Sequence, residues 1–195
     1  MDTTVNYYNT NAQQFFDSTV NVDMSELYKH FVPFLPTRAR ILDVGCGSGR
    51  DSKYFIDCGY EVEAMDVTEE FCILASSYIG QPVKHLDILD LTATNEFDAV
   101  WACASLLHIK PCNLEKAFTN IKNCLKSNGI LYASFKYGDF SGIRNGRYFT
   151  DMTETSFQNL LNRVGGFKIV KEYKTGDVRE GRHSEMWLNV IIQKI

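Results

Sequence analysis

"ILDVGCGSGRD", residues 41–51, is an apolar run that carries an aspartate and then breaks into three glycines within five residues. Short, aliphatic and partly β-branched, the run reads as a strand, and the polar residues after it read as the start of a helix. A strand that passes through glycines into a helix brings backbone N–H groups and a helix N-terminus to a point that a ligand can approach. Gly45, Gly47 and Gly49 are expected to supply that clearance. The glycines alone would also suit a tight turn, and the spacing "GCGSG" differs from the G-x-G-x-x-G of dinucleotide-binding dehydrogenases.

Working outward, residues 60–66, 82–87, 97–104 and 129–137 read as further strands, bounded by turn residues. Helical patterns lie between several of them, at Asp51–Cys58, Glu69–Ile79 and Asn113–Leu125. In the last, Leu114, Ala117, Phe118, Ile121 and Leu125 share a face, and "KSNG" is expected to close it with a C-cap glycine. Such alternation predicts an α/β fold with right-handed crossovers and a mostly parallel sheet covered on both faces. The tail departs from it. A capping-box pattern, "TETS", opens a helix over 153–164, and strands at 167–175 and 186–195 predict an antiparallel pair. Helical segments around Ala12–Ser18 and Ser25–Phe34 make residues 1–37 a lid, before a cofactor-binding half (38–137) and a substrate side (138–195) of one domain.

Two acids sharpen the reading. Asp66 ends the second strand about 20 residues past the glycines, where a carboxylate can accept both hydroxyls of a ribose. Asp87 ends the third and is followed by Ile88, an acceptor beside an apolar edge that would suit adenine.

Composition narrows the function classes. A net charge of −4 provides no global basic field for a nucleic-acid backbone. No apolar run approaches the roughly 20 residues that span a bilayer, and the first residues are too polar for a secretion signal, so a cytoplasmic, membrane-free protein is expected. Six cysteines without a C-x-x-C pair read as free thiols. No metal-ligand motif is present, and no metal is expected.

"ILDVGCGSGRDSKYF", "AMDVTEE", "LDILDL", "FDAVWACASLLHI" and "LKSNGILYASF" resemble, in order, the successive motifs of class I S-adenosylmethionine-dependent methyltransferases. The resemblance covers roughly residues 38–137. It implies a Rossmann-like, seven-stranded sheet ending in an antiparallel hairpin, with S-adenosyl-L-methionine as cofactor. It further implies that Gly45, Cys46, Gly47 and Gly49 pack against the amino-acid end and sugar, that Asp66 with Val67 meets the ribose, and that Asp87 with Ile88 reads the adenine. Cys103 and Ala104 would lie beside the methionine portion. Arg50 would cap the loop, reach the cofactor carboxylate or form a surface ion pair, and Tyr7 or Tyr8 would fold over the cofactor. More weakly, the chain is similar to the small stand-alone tellurite-resistance and thiopurine-type members. The D/N-P-P-Y/F turn of enzymes acting on adenine nitrogens or glutamine amides is replaced by "ACASLL".

For an activated sulfonium methyl, positioning in a dry pocket does much of the work, and a base is needed only for a protic acceptor. His108, just past the fourth strand, is the candidate base. Substrate contacts are expected from the loops 136–151 and 175–189, through Arg144, Arg147, Tyr148, Arg179 and Arg182, with Asp177 and Glu185 able to neutralise some of them. The function expected is methyl transfer to a small acceptor, anionic if those arginines face it, by a monomer or homodimer. Two alternatives stand beside it. "NGRYFTDMTETSFQNLL" distantly resembles tRNA wobble-uridine methyltransferases, and a cofactor-binding regulatory protein would transfer nothing.

Overall fold

The computed structural model describes residues 3–178 and 185–195. Its elements are α1 (Thr3–Thr19), α2 (Ser25–Phe31), β1 (Arg40–Val44), α3 (Arg50–Asp57), β2 (Glu61–Asp66), α4 (Glu69–Ile79), β3 (Val83–His85), β4 (Phe97–Ala102), α5 (Pro111–Cys124), β5 (Leu125–Lys136), β6 (Ser141–Arg144), β7 (Arg147–Thr150), α6 (Glu154–Val164), β8 (Phe167–Gly176) and β9 (Met186–Lys194). Seven strands form one sheet in the order β3-β2-β1-β4-β5-β9-β8. The first five are parallel, and β9 runs antiparallel between β5 and β8. This is the α/β sheet with a final antiparallel pair that the alternation predicts.

Side chains alternate across the strands, so each face builds its own core. Leu42, Val100, Leu131 and Val190 pack on one side with Phe118 and Ile121 of α5 and Phe157 of α6. Ile41, Trp101, Tyr132 and Ile191 pack on the other with Phe31 of α2 and Phe55 of α3. Trp101 and Tyr132 are fully buried and stack with centroids 3.9 Å apart. Strand order reverses between β1 and β4, whose carboxyl ends open a crevice.

Three local expectations change. Helix α5 ends at Cys124, not on the glycine of "KSNG": Leu125 already starts β5, and Asn128 (φ 64°), not Gly129, takes the left-handed conformation. The stretch 136–151 is not a plain loop, because β6 and β7 pair antiparallel within it. Asn145 and Gly146 turn that hairpin with φ of 51° and 78°, both positive, which matches the strand twist of a type I′ turn. Helix α1 is also much longer than residues 12–18 and bends at Asn11. The tail helix forms as expected, with Thr153 and Ser156 making the reciprocal cap.

Candidate functional site

A cavity of about 950 Å³ opens over the carboxyl ends of β1, β2, β4 and β5. Its floor is the loop 45–48, Asp66 to Thr68 and Cys103 to Ser105, and α1 and the β6–β7 hairpin form upper walls. Tyr137, Val178 and Met186 line it while staying 37%, 53% and 41% exposed, and so mark its rim.

The three glycines divide their labour. All are left-handed, with φ of 70°, 54° and 78° for Gly45, Gly47 and Gly49. A Cβ on Gly45 would lie 2.5 Å from the Ser105 Cβ, and one on Gly49 would lie 2.9 Å from Ile79 and 3.1 Å from Ala75. Those two permit close packing, and Gly49 lies off the cavity wall. On Gly47 a Cβ would meet only the edge of Phe15, at 3.9 Å, so clearance toward the cavity belongs to this residue.

Asp66 is buried beside it. Its Oδ2 accepts the Gly47 N–H at 2.9 Å and its Oδ1 the Thr68 N–H at 2.8 Å. Burial raises its pKa, with those amides working in the opposite direction. Each carboxylate oxygen retains acceptor capacity after one amide, so the residue remains able to meet two hydroxyls.

Beneath the loop lies a charged core. Asp51 accepts from Tyr28 Oη (2.6 Å), Trp101 Nε1 (2.8 Å) and Arg50 Nε (2.6 Å). Burial works to raise its pKa, but the Arg50 charge and these hydrogen bonds outweigh it and hold the carboxyl below the usual range. Asp43, 2% exposed, accepts from Ser52 Oγ at 2.6 Å, and burial followed by the Asp51 charge raises it. Arg50 therefore forms a largely buried pair, not a surface one, while still lining the cavity. The Cys46 and Cys103 thiols on the wall are both pushed up by burial, Cys103 to about 12.

On the opposite wall, His108 lies between α1 and β7. Its Nδ1 is 2.6 Å from the Tyr148 carbonyl oxygen and its Nε2 is 2.9 Å from Tyr8 Oη. Arg147 donates through one terminal nitrogen to the same hydroxyl at 3.3 Å and stacks on Tyr7, Tyr8 and Phe149 at 4.8, 5.7 and 5.3 Å. It forms no ion pair among the described residues, and its Nε is enclosed without a partner. Arg144 instead pairs with Asp151 at 2.8 Å.

Several expected residues sit elsewhere. Tyr7 lies behind the wall under Arg147. Tyr148 contributes its backbone, while its hydroxyl meets Ser141. Asp87 caps the turn at 88–90 through the Leu89 N–H and Ile88 is buried in the core, and neither lines the cavity. Val67 and Phe71 line it beside Asp66. Arg179 and Arg182 lie outside the described residues.

Lys136 is a site residue that sequence reading missed. Only 7% exposed, its ammonium meets Asp177 at 3.0 Å and Glu185, and lies 4.1 Å over the Trp187 ring. Asp177 and Glu185 thus serve a lysine that the sequence reading does not pair with them. A strand-end lysine in "ASFKY" reads as a solvated terminus, so only its cross-strand partner Trp187 marks it.

A methyltransferase-domain family model matches residues 42–133. The chain is 34% identical over 116 residues to a putative methyltransferase, YqeM, of Bacillus subtilis, covering 54% of this chain and 47% of that protein. It is 36% identical over 104 residues to the malonyl-[acyl-carrier protein] O-methyltransferase of Enterobacter lignolyticus, covering 50% and 39%. This chain thus spans less than half the length of these relatives. Among solved structures, the 1,6-didemethyltoxoflavin-N1-methyltransferase of Burkholderia thailandensis, with bound 1,6-didemethyltoxoflavin and S-adenosylhomocysteine, superposes with a TM-score of 0.75 at 23% identity, covering 97% of this chain and 84% of that one. That likeness concerns the fold. Among the described residues no helix is long and apolar enough to cross a membrane.

Proposed function

We propose that the chain is a class I S-adenosylmethionine-dependent methyltransferase, a reading supported by the methyltransferase-domain match over residues 42–133, and that it methylates a small anionic acceptor held between the glycine loop and the β6–β7 hairpin. Arg147 carries the acceptor's charge in this reading: it lines the cavity, no carboxylate neutralises it among the described residues, and aromatic rings hold its plane. A guanidinium so placed is a fork for a carboxylate or similar oxyanion.

When bound, S-adenosylmethionine supplies an already activated methyl, which leaves positioning, water exclusion and proton handling to the protein. Gly47 and Asp66 would hold it, with Val67 and Phe71 as the apolar wall beside the ribose site and Cys103 and Ala104 across the floor. Tyr8 and Phe15 roof this half and keep water from it.

A small acceptor is favoured over tRNA because the hairpin cations face inward or are paired, Arg144 with Asp151 and Arg147 against three rings. Calorimetry with S-adenosylmethionine and S-adenosylhomocysteine, with NAD as control, tests the cofactor. Transfer of labelled methyl groups to small carboxylate-bearing acceptors and to tRNA, by wild type and Arg147→Gln, tests the rest. Binding of the sulfur nucleosides and Arg147-dependent labelling of a small anion are expected. Preference for NAD, or labelling of tRNA alone, overturns the reading.

A further inference from the structure

A carbonyl oxygen can only accept, so the 2.6 Å contact from His108 Nδ1 to the Tyr148 oxygen places a proton on Nδ1. In the neutral ring Nε2 is then a lone pair, and the Tyr8 hydroxyl 2.9 Å away donates to it. Arg147 favours this state, because its fixed charge donates to the same oxygen and opposes a second cation on the imidazole. Among the described residues the other charged or titratable groups around the cluster include Tyr7 of α1, Asp66 of β2, which acts on Tyr8, Lys110, which lies 5.9 Å over the Tyr148 ring, and Arg144, which lies 5.2 Å over the Phe149 ring that packs on His108 and is paired with Asp151.

We propose that Tyr8 takes the acceptor's proton and passes its own to His108, so that the acceptor is a protic oxygen or nitrogen only a few bonds from the anionic group held by Arg147. The inference rests on the methyl-transfer reading. The X–H bond breaks and leaves its electron pair on X; that proton forms a new bond to Tyr8 Oη as the original hydroxyl proton moves to His108 Nε2. The imidazolium that results keeps both partners, Nδ1–H to the Tyr148 carbonyl and Nε2–H to Tyr8. Burial raises the Tyr8 pKa, with Arg147 opposing, so the hydroxyl hands a proton across and does not stand as phenolate. The spacing follows from Arg147 and the Tyr8 oxygen being 3.3 Å apart. Hydroxy acids and amino acids carry such a pair of groups. An acceptor's anion on Arg147 would also offset the positive charge that opposes a second cation on the ring, so binding itself would ready the proton acceptor.

Long-range ¹⁵N–¹H spectra of the full chain test this without turnover. The resonances of His108 are assigned from those that His108→Gln removes or that Tyr8→Phe moves. At neutral pH the expected proton is on Nδ1. Arg147→Gln should raise the proton affinity of His108 by at least about tenfold, since it removes a fixed positive charge that shares the Tyr8 hydroxyl with the ring. Tyr8→Phe, which keeps the ring against Phe15 and Phe71, should shift Nε2. A proton on Nε2, or a His108 titration indifferent to Arg147→Gln, overturns the relay. Cofactor calorimetry is unaffected by that failure, so the two readings fall separately.

Discussion

Gly45 and Gly47 share a left-handed backbone and sit two residues apart, yet alanine should act differently at each. At Gly47 the cost to folding is conformational, about 1–2 kcal/mol for an L-residue in that region, because the new methyl would meet only Phe15 at 3.9 Å. At Gly45 the same cost is joined by a 2.5 Å approach to the Ser105 Cβ, about 1 Å inside ordinary contact. Ser105 follows the β4 end and cannot simply swing aside, so overpacking adds about 1–3 kcal/mol. Gly45→Ala should therefore lose roughly 2–5 kcal/mol in urea unfolding and Gly47→Ala roughly 1–2. Ligand affinity should invert the order. Gly47→Ala puts a methyl where the cofactor must pass, and calorimetry with S-adenosylhomocysteine on the folded variant should show a loss of at least about tenfold, the effect of roughly 1.4 kcal/mol. Unchanged affinity in Gly47→Ala, or equal destabilisation by both variants, would refute this division of roles.

Two further outcomes follow from the buried charges. The Asp43 carboxyl is raised by burial and by Asp51, to about 8, so the folded state binds more protons than the unfolded one above the ordinary aspartate range. Its stabilising share is complete below about pH 4 and is lost as pH rises towards 8; thermal unfolding from pH 5 to 9 should fall less steeply for Asp43→Asn, and equal slopes would discard the assignment. Lys136→Met keeps the stem but strips the ammonium from Asp177, which is 4% exposed, and should cost roughly 2 kcal/mol or more. Lys136→Met with Asp177→Asn should lose less than the sum of the single changes in urea unfolding, whereas strict additivity would show that the pair is not coupled.

Where a signal is local, the sequence was legible. The strand periods, the "TETS" cap and the glycine break each follow from neighbouring residues, and they placed the sheet, α6 and the Gly47–Asp66 floor. "RNGR" is equally local, since Asn-Gly between β-branched and aromatic residues signals a hairpin, and β6 and β7 pair across it. That Asp87 caps the next turn cannot be read from the sequence, because a strand end looks alike whether its side chain faces a ligand or caps a turn. The partners of Lys136, Arg50 and Asp51 could not be read, because each depends on which strand ends the topology brings together. Spacing in the chain says nothing of that.

The upper walls of the site come from segments with no common local pattern. Thr4 accepts from the Tyr148 N–H, Tyr8 meets His108 and Arg147 meets Tyr8, across 144, 100 and 139 residues of chain. In α1 only Thr4, Ala12 and Thr19 are buried, so little apolar area fastens this helix. It is held instead by polar contacts to β7 and by Phe15 against Phe71 and Phe16 against Tyr78. Such a wall separates from the sheet at lower cost than the strands separate from one another. The groups that would handle the acceptor's proton and charge are therefore complete only while α1 is docked, which ties chemistry at Tyr8 to exclusion of water from the cavity.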